Sequence, residues 1–132
     1  MAKGKIRILV VDDHTVMRQG LVRLISNQED IQVVGEASNG HQGIALAREL
    51  APDLVLMDIS MPDMDGVETT RILKTEMPQV HVIGLSMFED EQVTKAMSRS
   101  GAVAYVSKAA STSELLNAIY GAWEMTADFR MK

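Results

Sequence analysis

The amino-acid sequence predicts an α/β domain in which five parallel strands alternate with five helices. Short aliphatic runs recur along the chain, and each is followed by a stretch whose apolar residues are spaced as on one helix face. The length of 132 residues suits one domain. This alternation implies a parallel sheet with helices on both faces, and right-handed crossovers favour the doubly wound strand order 2-1-3-4-5.

The five strands are predicted from short apolar runs. The run that begins at Leu54 is too short for a helix, and the run that begins at Ile6 is continuously aliphatic. The strands are expected at Ile6–Val11, Ile31–Ala37, Leu54–Met57, Val80–Leu85 and Val103–Val106.

The five helices are predicted from apolar spacing and from residues typical of helix ends. Gly101 is placed to end the fourth helix, and Ser111 with Glu114 forms a capping-box pattern before the fifth. The helices are expected at His14–Gln28, Gly43–Leu50, Val67–Glu76, Glu89–Ser100 and, after the cap at Ser111, as far as Met125. Residues 1–5 and 126–132 are then terminal tails on a domain that spans residues 6–125.

Composition favours a soluble cytoplasmic protein. The formal charge is −5, from 18 acidic and 13 basic residues, and no basic run suggests a nucleic-acid surface. The absence of cysteine fits a reducing compartment. The apolar run at 8–11 is too short for a signal peptide, and no run of 18 apolar residues suggests a membrane helix.

Polar residues follow four of the predicted strands. Asp12 and Asp13 follow the first strand, Asp58 the third and Ser86 the fourth, and Lys108 lies two residues past the fifth. The carboxyl ends of parallel strands share one edge of the sheet, where this fold class places its sites. We therefore expect these residues to converge.

Such a group of carboxylates needs positive charge nearby, since packed carboxylates raise one another's pKa. Lys108 can supply part of it, and Mg²⁺ can supply the rest through Asp13 and Asp58, oriented by Asp12. We expect Asp58 to attack the phosphorus of an activated donor and become an acyl phosphate. The Ser86 hydroxyl would then donate to a phosphoryl oxygen and make room for Tyr105.

Four segments carry a resemblance to a known family. They are ILVVDDH at 8–14, LVLMDISMPDMDG at 54–66, GLSM at 84–87 and AYVSK at 104–108. Over about residues 5–125 the chain resembles the receiver domain of two-component response regulators, and VVDDHTVMRQGL and LSMFEDE resemble the NarL/FixJ (LuxR-type) subfamily in particular. The resemblance implies a CheY-like, flavodoxin-like fold.

The resemblance also implies a partner and a set of site residues. The partner is a sensor histidine kinase that phosphorylates Asp58, and the cofactor is Mg²⁺. The backbone carbonyl of Ser60 matches the third protein ligand to the metal, beside Asp13 and Asp58, with Asp12 completing the acidic pair. The switch residues of the family match Ser86, Tyr105 and Lys108.

The chain departs from the family pattern in two places. Ala109 stands where the family commonly has proline, which leaves the geometry of the Lys108–Ala109 peptide bond open. A LuxR-type regulator also continues into a helix-turn-helix domain, and nothing after Met125 could form one. The chain is then either part of a longer regulator, with DNA contacted only through an output domain and a homodimer on activation, or a stand-alone receiver that binds a protein target.

Simpler interpretations stand beside these. Asp12 and Asp13 could cap the first helix. His14 is more readily a solvated residue at a helix start than a metal ligand. Asp63 and Asp65 fit turn residues before a helix better than a metal loop.

Two other protein classes deserve comparison. Phosphatases of the haloacid-dehalogenase type also form an aspartyl phosphate, but they carry Asp-x-Asp after the first strand, where this chain has Asp12-Asp13-His14. A flavin-binding electron carrier would need a phosphate-binding loop after that strand, and the acidic pair would repel the phosphate.

Overall fold

The sheet has the predicted number of strands and the predicted order. The computed structural model of the protein describes residues 5–62, 64–87 and 90–131, and of residues 126–131 it describes only the backbone. All pairings are parallel, in the order β2-β1-β3-β4-β5. The strands are β1 Ile6–Val11, β2 Ile31–Ala37, β3 Leu54–Asp58, β4 His81–Ser86 and β5 Ala104–Ser107.

One helix follows each strand, as the alternation predicts. The helices are α1 Thr15–Ser26, α2 Gly40–Leu50, α3 Gly66–Glu76, α4 Glu91–Ser100 and α5 Thr112–Met131. None of the described helices is long and apolar enough to cross a bilayer.

The sheet separates two apolar clusters. On one face, Ile8, Leu56 and Ile83 pack with residues of α1 and α5, and on the other, Val55 and Met57 pack with residues of α2, α3 and α4. The central strands β1 and β3 are almost wholly buried because helices cover both faces.

Side-chain caps move two helix boundaries from their predicted positions. The Asn39 side chain accepts a hydrogen bond from the Gln42 amide (2.8 Å), so α2 begins at Gly40 rather than Gly43. Asp90 lies outside α4 as its N-cap and accepts from the amides of Gln92 and Val93. The predicted start of that helix, Glu89, lies outside the described residues.

The last helix is longer than predicted. It continues to Met131 rather than ending near Met125, and the sequence from Thr126 to Met131 contains no glycine or proline that would end it. The predicted end of the last helix near Met125 was therefore wrong, while the domain boundary at residue 125 stays a prediction and Lys132 lies outside the described residues.

Small shifts in strand ends matter for the site. Asp58 is the last residue of β3 and pairs with Leu85 in the ladder, and Ser86 is the last residue of β4 and pairs with Ser107. Lys108 directly follows β5 instead of lying two residues beyond it. No peptide bond among the described residues is cis, so the bond from Lys108 to Ala109 is trans.

Candidate functional site

The carboxyl edge of the sheet brings three carboxylates and one lysine together. Asp12 and Asp13 follow β1, Asp58 ends β3, and Lys108 follows β5. We call Asp12, Asp13 and Asp58 the acidic cluster. Candidate ligand atoms from these three residues and His14 all lie within 4.8 Å of one another.

Asp58 is held firmly by its neighbours. Its residue is 1% exposed, and its Oδ1 accepts a hydrogen bond from the Ser60 amide (3.2 Å). Its Oδ2 is buried and accepts no hydrogen bond. One oxygen of the carboxylate is therefore positioned by the backbone, and the other is left without a donor.

Gly66 allows the loop after Asp58 to fold tightly. A Cβ at Gly66 would collide with the backbone carbonyl oxygen of Asp58 and with Cα of Ile59. The Gly66 amide donates to the Ile59 carbonyl (2.9 Å), which ties the start of α3 to the end of β3.

Lys108 supplies the positive charge that the sequence predicts. Its Nζ lies 3.0 Å from Asp12 Oδ2 and 3.2 Å from Asp58 Oδ1, and all three side chains are almost fully buried. Its amide donates to the Ser86 carbonyl (2.7 Å). The lysine thus contacts two carboxylates through its side chain and the end of β4 through its backbone.

The acidic cluster carries more negative charge than Lys108 can balance. Burial, aided by the negative charge of Asp12 and opposed by Lys108, raises the pKa of Asp58 to about 7. The fold therefore holds a carboxylate whose ionised form is costly unless more positive charge arrives.

Oxygen-rich sites of this kind fit a hard divalent cation. Carboxylate oxygens with open positions are the set that Mg²⁺ prefers. The buried Asp58 Oδ2, which accepts no hydrogen bond, is an atom that such an ion would satisfy. The cluster is thus compatible with Mg²⁺, and the residues that would hold it are Asp12, Asp13 and Asp58.

The two remaining switch candidates lie along β4 and β5. Ser86 is buried at the end of β4, one residue past the partner of Asp58 in the ladder. Tyr105 pairs with Gly84, and a Cβ at Gly84 would stand 3.5 Å from the Tyr105 ring. The ring therefore lies beside β4 on the α4 side, where it lines a groove with Asp90 and Thr94.

The structure decides between several simpler interpretations. His14, not Asp12 or Asp13, is the N-cap residue of α1. Asp65 caps α3 by accepting from the Glu68 amide (2.9 Å), as expected of a turn residue. Asp63 lies outside the described residues.

His14 is the residue whose place sequence reasoning underestimated. Its side chain is 61% exposed, as expected at a helix start, but its Nδ1 lies 3.1 Å from Asp13 Oδ1. The sequence signal was simply adjacency to the acidic pair, and ring orientation could not be obtained from it.

Comparisons with known proteins identify one family. The family model described as "Response regulator receiver domain" matches residues 8–120. The response regulator protein VraR of Staphylococcus epidermidis is 45% identical over 120 residues, which cover 90% of this chain and 57% of that protein. The chain thus spans little more than half the length of this relative.

Solved structures are similar across the whole fold. A LuxR-family two-component response regulator from Aurantimonas has a TM-score of 0.86 at 28% identity, covering 98% of this chain and 100% of that one. A LuxR-family DNA-binding response regulator from Staphylococcus aureus has a TM-score of 0.82 at 27% identity, covering 88% and 97%. The chain belongs to the response regulator receiver domain family.

Proposed function

We propose that the chain is a phosphorylation-controlled switch whose phosphoacceptor is Asp58. The observation that carries this proposal is the convergence of Asp12, Asp13 and Lys108 on a buried carboxylate that keeps one oxygen without a hydrogen bond. Such an arrangement costs folding free energy. A bound cation would offset that cost. A purely structural role for the cluster leaves the cost unexplained.

The chemical step is a displacement at phosphorus. The Asp58 carboxylate attacks the phosphorus of a phosphohistidine on a sensor histidine kinase, the phosphorus–nitrogen bond breaks, and an acyl phosphate forms. Lys108 stays near Oδ1 and the developing negative charge. Asp12, Asp13, Asp58 and the Ser60 carbonyl would hold Mg²⁺, which would supply further charge neutralisation when bound.

The structural response to phosphorylation begins at the end of β4. The phosphoryl group adds negative charge and acceptor oxygens beside Ser86. The Ser86 hydroxyl donates to one of these oxygens, β4 and its following loop shift, and Tyr105 moves into the space that opens. The backbone bond from Lys108 to Ser86 supports this route, because it joins the phosphoryl-contacting lysine to the moving strand end.

We infer that the output of the switch is control of transcription. The similarity of the chain to VraR and to LuxR-family regulators supports a role as the regulatory part of a DNA-binding transcription regulator. DNA would be contacted only through an output domain, and phosphorylation would favour a homodimer. Residues 6–125 would form the receiver unit, in the cytoplasm.

The proposal is tested with a small phosphodonor. Incubation with acetyl phosphate and Mg²⁺ should add one phosphoryl group, measured as intact mass. Asp58→Asn should abolish the adduct. Asp30→Asn is the matched control, because Asp30 precedes β2 at the opposite edge of the sheet, and it should leave the adduct unchanged. An adduct that persists in Asp58→Asn would refute the assignment.

A further inference from the structure

His14 stands on the open side of the acidic cluster, opposite Lys108. Lys108 Nζ contacts Asp12 Oδ2 and Asp58 Oδ1. His14 Nδ1 faces the other oxygens, at 3.4 Å from Asp12 Oδ1 and 3.8 Å from Asp58 Oδ2. The carboxylates of Asp12 and Asp58 therefore lie between a cation on one side and an imidazole on the other.

The spacing of these atoms suits a shared ion. Ligand atoms bound at about 2.1 Å in neighbouring positions around one cation stand about 3 Å apart. His14 Nδ1 lies 3.1 Å, 3.4 Å and 3.8 Å from oxygens of Asp13, Asp12 and Asp58. Movements of up to about 0.8 Å, available to an exposed ring, would place all four atoms around one ion.

A second observation points to a ligand here. Asp58 Oδ2 is one of the oxygens that His14 Nδ1 faces. This oxygen accepts no hydrogen bond, and its residue is almost fully buried. A buried carboxylate oxygen without a donor is rare unless something else satisfies it. An ion between His14 and the acidic cluster would satisfy this atom.

We infer that His14 Nδ1 is a ligand of the divalent cation that the acidic cluster binds, so that the site prefers cations that bind imidazole. The inference rests on the proposed metal site. A site of oxygens alone suits Mg²⁺, whereas an added imidazole favours transition metals such as Mn²⁺, Co²⁺ and Zn²⁺. The chain would then bind Mn²⁺ more tightly than Mg²⁺, and the ratio of the two affinities would depend on His14.

The backbone helps to hold the imidazole in place. His14 is the N-cap residue of α1, and its amide donates to Asp12 Oδ1 (2.9 Å). The Arg18 guanidinium donates to the Asp12 carbonyl (2.7 Å), which fixes the turn between β1 and α1. The ring is therefore presented on a short, hydrogen-bonded turn and not on a long loop.

The direct test is pulsed electron paramagnetic resonance on the protein loaded with Mn²⁺. Coordination by imidazole gives echo modulation from the bound ¹⁴N nucleus, which oxygen ligands do not give. The wild-type chain should show this modulation, and His14→Asn should lose it. His41→Asn, at the exposed start of α2, is the matched control and should keep it.

Calorimetric titration supplies the affinities. His14→Asn should weaken Mn²⁺ binding by roughly tenfold or more, since even residues that only orient a metal ligand are commonly worth that much. Its affinity for Mg²⁺ should change less than about twofold, because Mg²⁺ prefers oxygen ligands.

Several outcomes would overturn the inference. They are Mn²⁺ bound without nitrogen modulation, modulation that persists in His14→Asn, equal losses of Mn²⁺ and Mg²⁺ affinity, or no Mn²⁺ binding. None of these affects the acetyl phosphate result with Mg²⁺. Conversely, an adduct that persists in Asp58→Asn would refute the phosphoacceptor assignment. It would leave the ¹⁴N modulation of the Mn²⁺-loaded wild-type chain unaffected.

Discussion

At the residue scale, the central feature is a carboxylate placed where its ionised form is unfavourable. Asp58 is buried, faces the charge of Asp12, and is only partly compensated by Lys108. The same features suit the proposed role of phosphoacceptor, because a bound cation would add positive charge beside the ionised carboxylate. Stability and function are therefore opposed at this side chain.

The raised pKa of Asp58 predicts how stability depends on pH. In the unfolded chain this carboxyl loses its proton near pH 4, but in the folded chain only near pH 7. The folded state therefore binds more protons in this window, so the free energy of unfolding of the metal-free protein should fall as pH rises from about 4 to about 7.

The Asp58→Asn variant isolates this effect. Relative to wild type it should gain on the order of 1–3 kcal/mol of stability at pH 7.5 and much less at pH 4.5. Urea unfolding at both pH values measures the difference. A gain that is the same at both pH values would show that the titration of Asp58 does not cause it.

Lys108→Ala tests the switch separately from the acceptor. With Mg²⁺ and acetyl phosphate the variant should still form the adduct, because Asp58 and the acidic cluster remain. The backbone amides of Ser86 and Tyr105, followed by nuclear magnetic resonance, should shift much less on phosphorylation than in wild type. Without Mg²⁺ the variant should lose up to about 3 kcal/mol of stability, since buried carboxylates lose their cation.

Lys95→Ala is the matched control for this experiment. Lys95 is exposed on α4 and pairs with Glu91, one turn away. It should leave stability, the adduct and the amide shifts close to wild type. Wild-type amide shifts in Lys108→Ala would count against the role of Lys108.

The composition of the site could be predicted at this scale, but part of its geometry could not. Asp12, Asp13, Asp58 and Lys108 converge because parallel strands end at one edge, which follows from topology alone. The position of the His14 ring depends on its backbone angles as N-cap residue and on its rotamer, and neither can be obtained from the sequence.

At the element scale, the contact between the start of α3 and the end of β3 sets the shape of the loop after Asp58. Gly66 opens α3 against the backbone of Asp58 and Ile59. Any side chain there has to displace the backbone of Asp58 and Ile59. The requirement for glycine is therefore one of space, not of an unusual backbone angle.

Gly66→Ala should impair both stability and chemistry. The added methyl group should cost roughly 1–3 kcal/mol of unfolding free energy, as overpacking does elsewhere. Phosphorylation by acetyl phosphate should also slow, because the Asp58 backbone has to shift. Chemical denaturation and the rate of adduct formation measure the two effects.

Gly20→Ala is the matched control for the glycine variant. A Cβ at Gly20, inside α1, meets no atom within 4 Å. This variant should gain roughly 0.5–1 kcal/mol and phosphorylate normally. Similar behaviour of the two variants would refute the steric argument.

Element boundaries were predicted less well than element identities. The starts of α2 and α4 depend on side-chain caps at Asn39 and Asp90, and a cap is used only if the backbone turns correctly before it. Strands β4 and β5 each begin and end one residue later than predicted. This shift matters because it makes Ser86 a strand residue instead of a loop residue.

At the scale of the whole molecule, the sheet is a partition between two helical layers. The acidic cluster lies at the carboxyl edge of the sheet, and an apolar cluster covers each face of the sheet. Alternating runs of apolar residues specify this architecture strongly, so the fold class and strand order could be predicted from the sequence. The end of α5 could not, because the residues near Met125 include no clear stop signal.

Truncation tests whether residues 6–125 form the autonomous unit. Side chains of α5 that pack on the sheet include Leu115, Ile119 and Ala122, all before Met125. A chain ending at Met125 should therefore unfold cooperatively, lose less than about 1 kcal/mol, and accept phosphate normally. A large loss of stability or of cooperativity would show that the last turns of α5 belong to the folded unit.

The most direct test of the account is to locate the phosphoryl group chemically. Borohydride reduces an aspartyl phosphate to homoserine, and peptide mass spectrometry then identifies the position. After treatment with acetyl phosphate and Mg²⁺, homoserine should appear at position 58 and at no other aspartate. Homoserine at position 12 or 13, or at another aspartate in place of 58, would contradict the central claim that Asp58 is the acceptor.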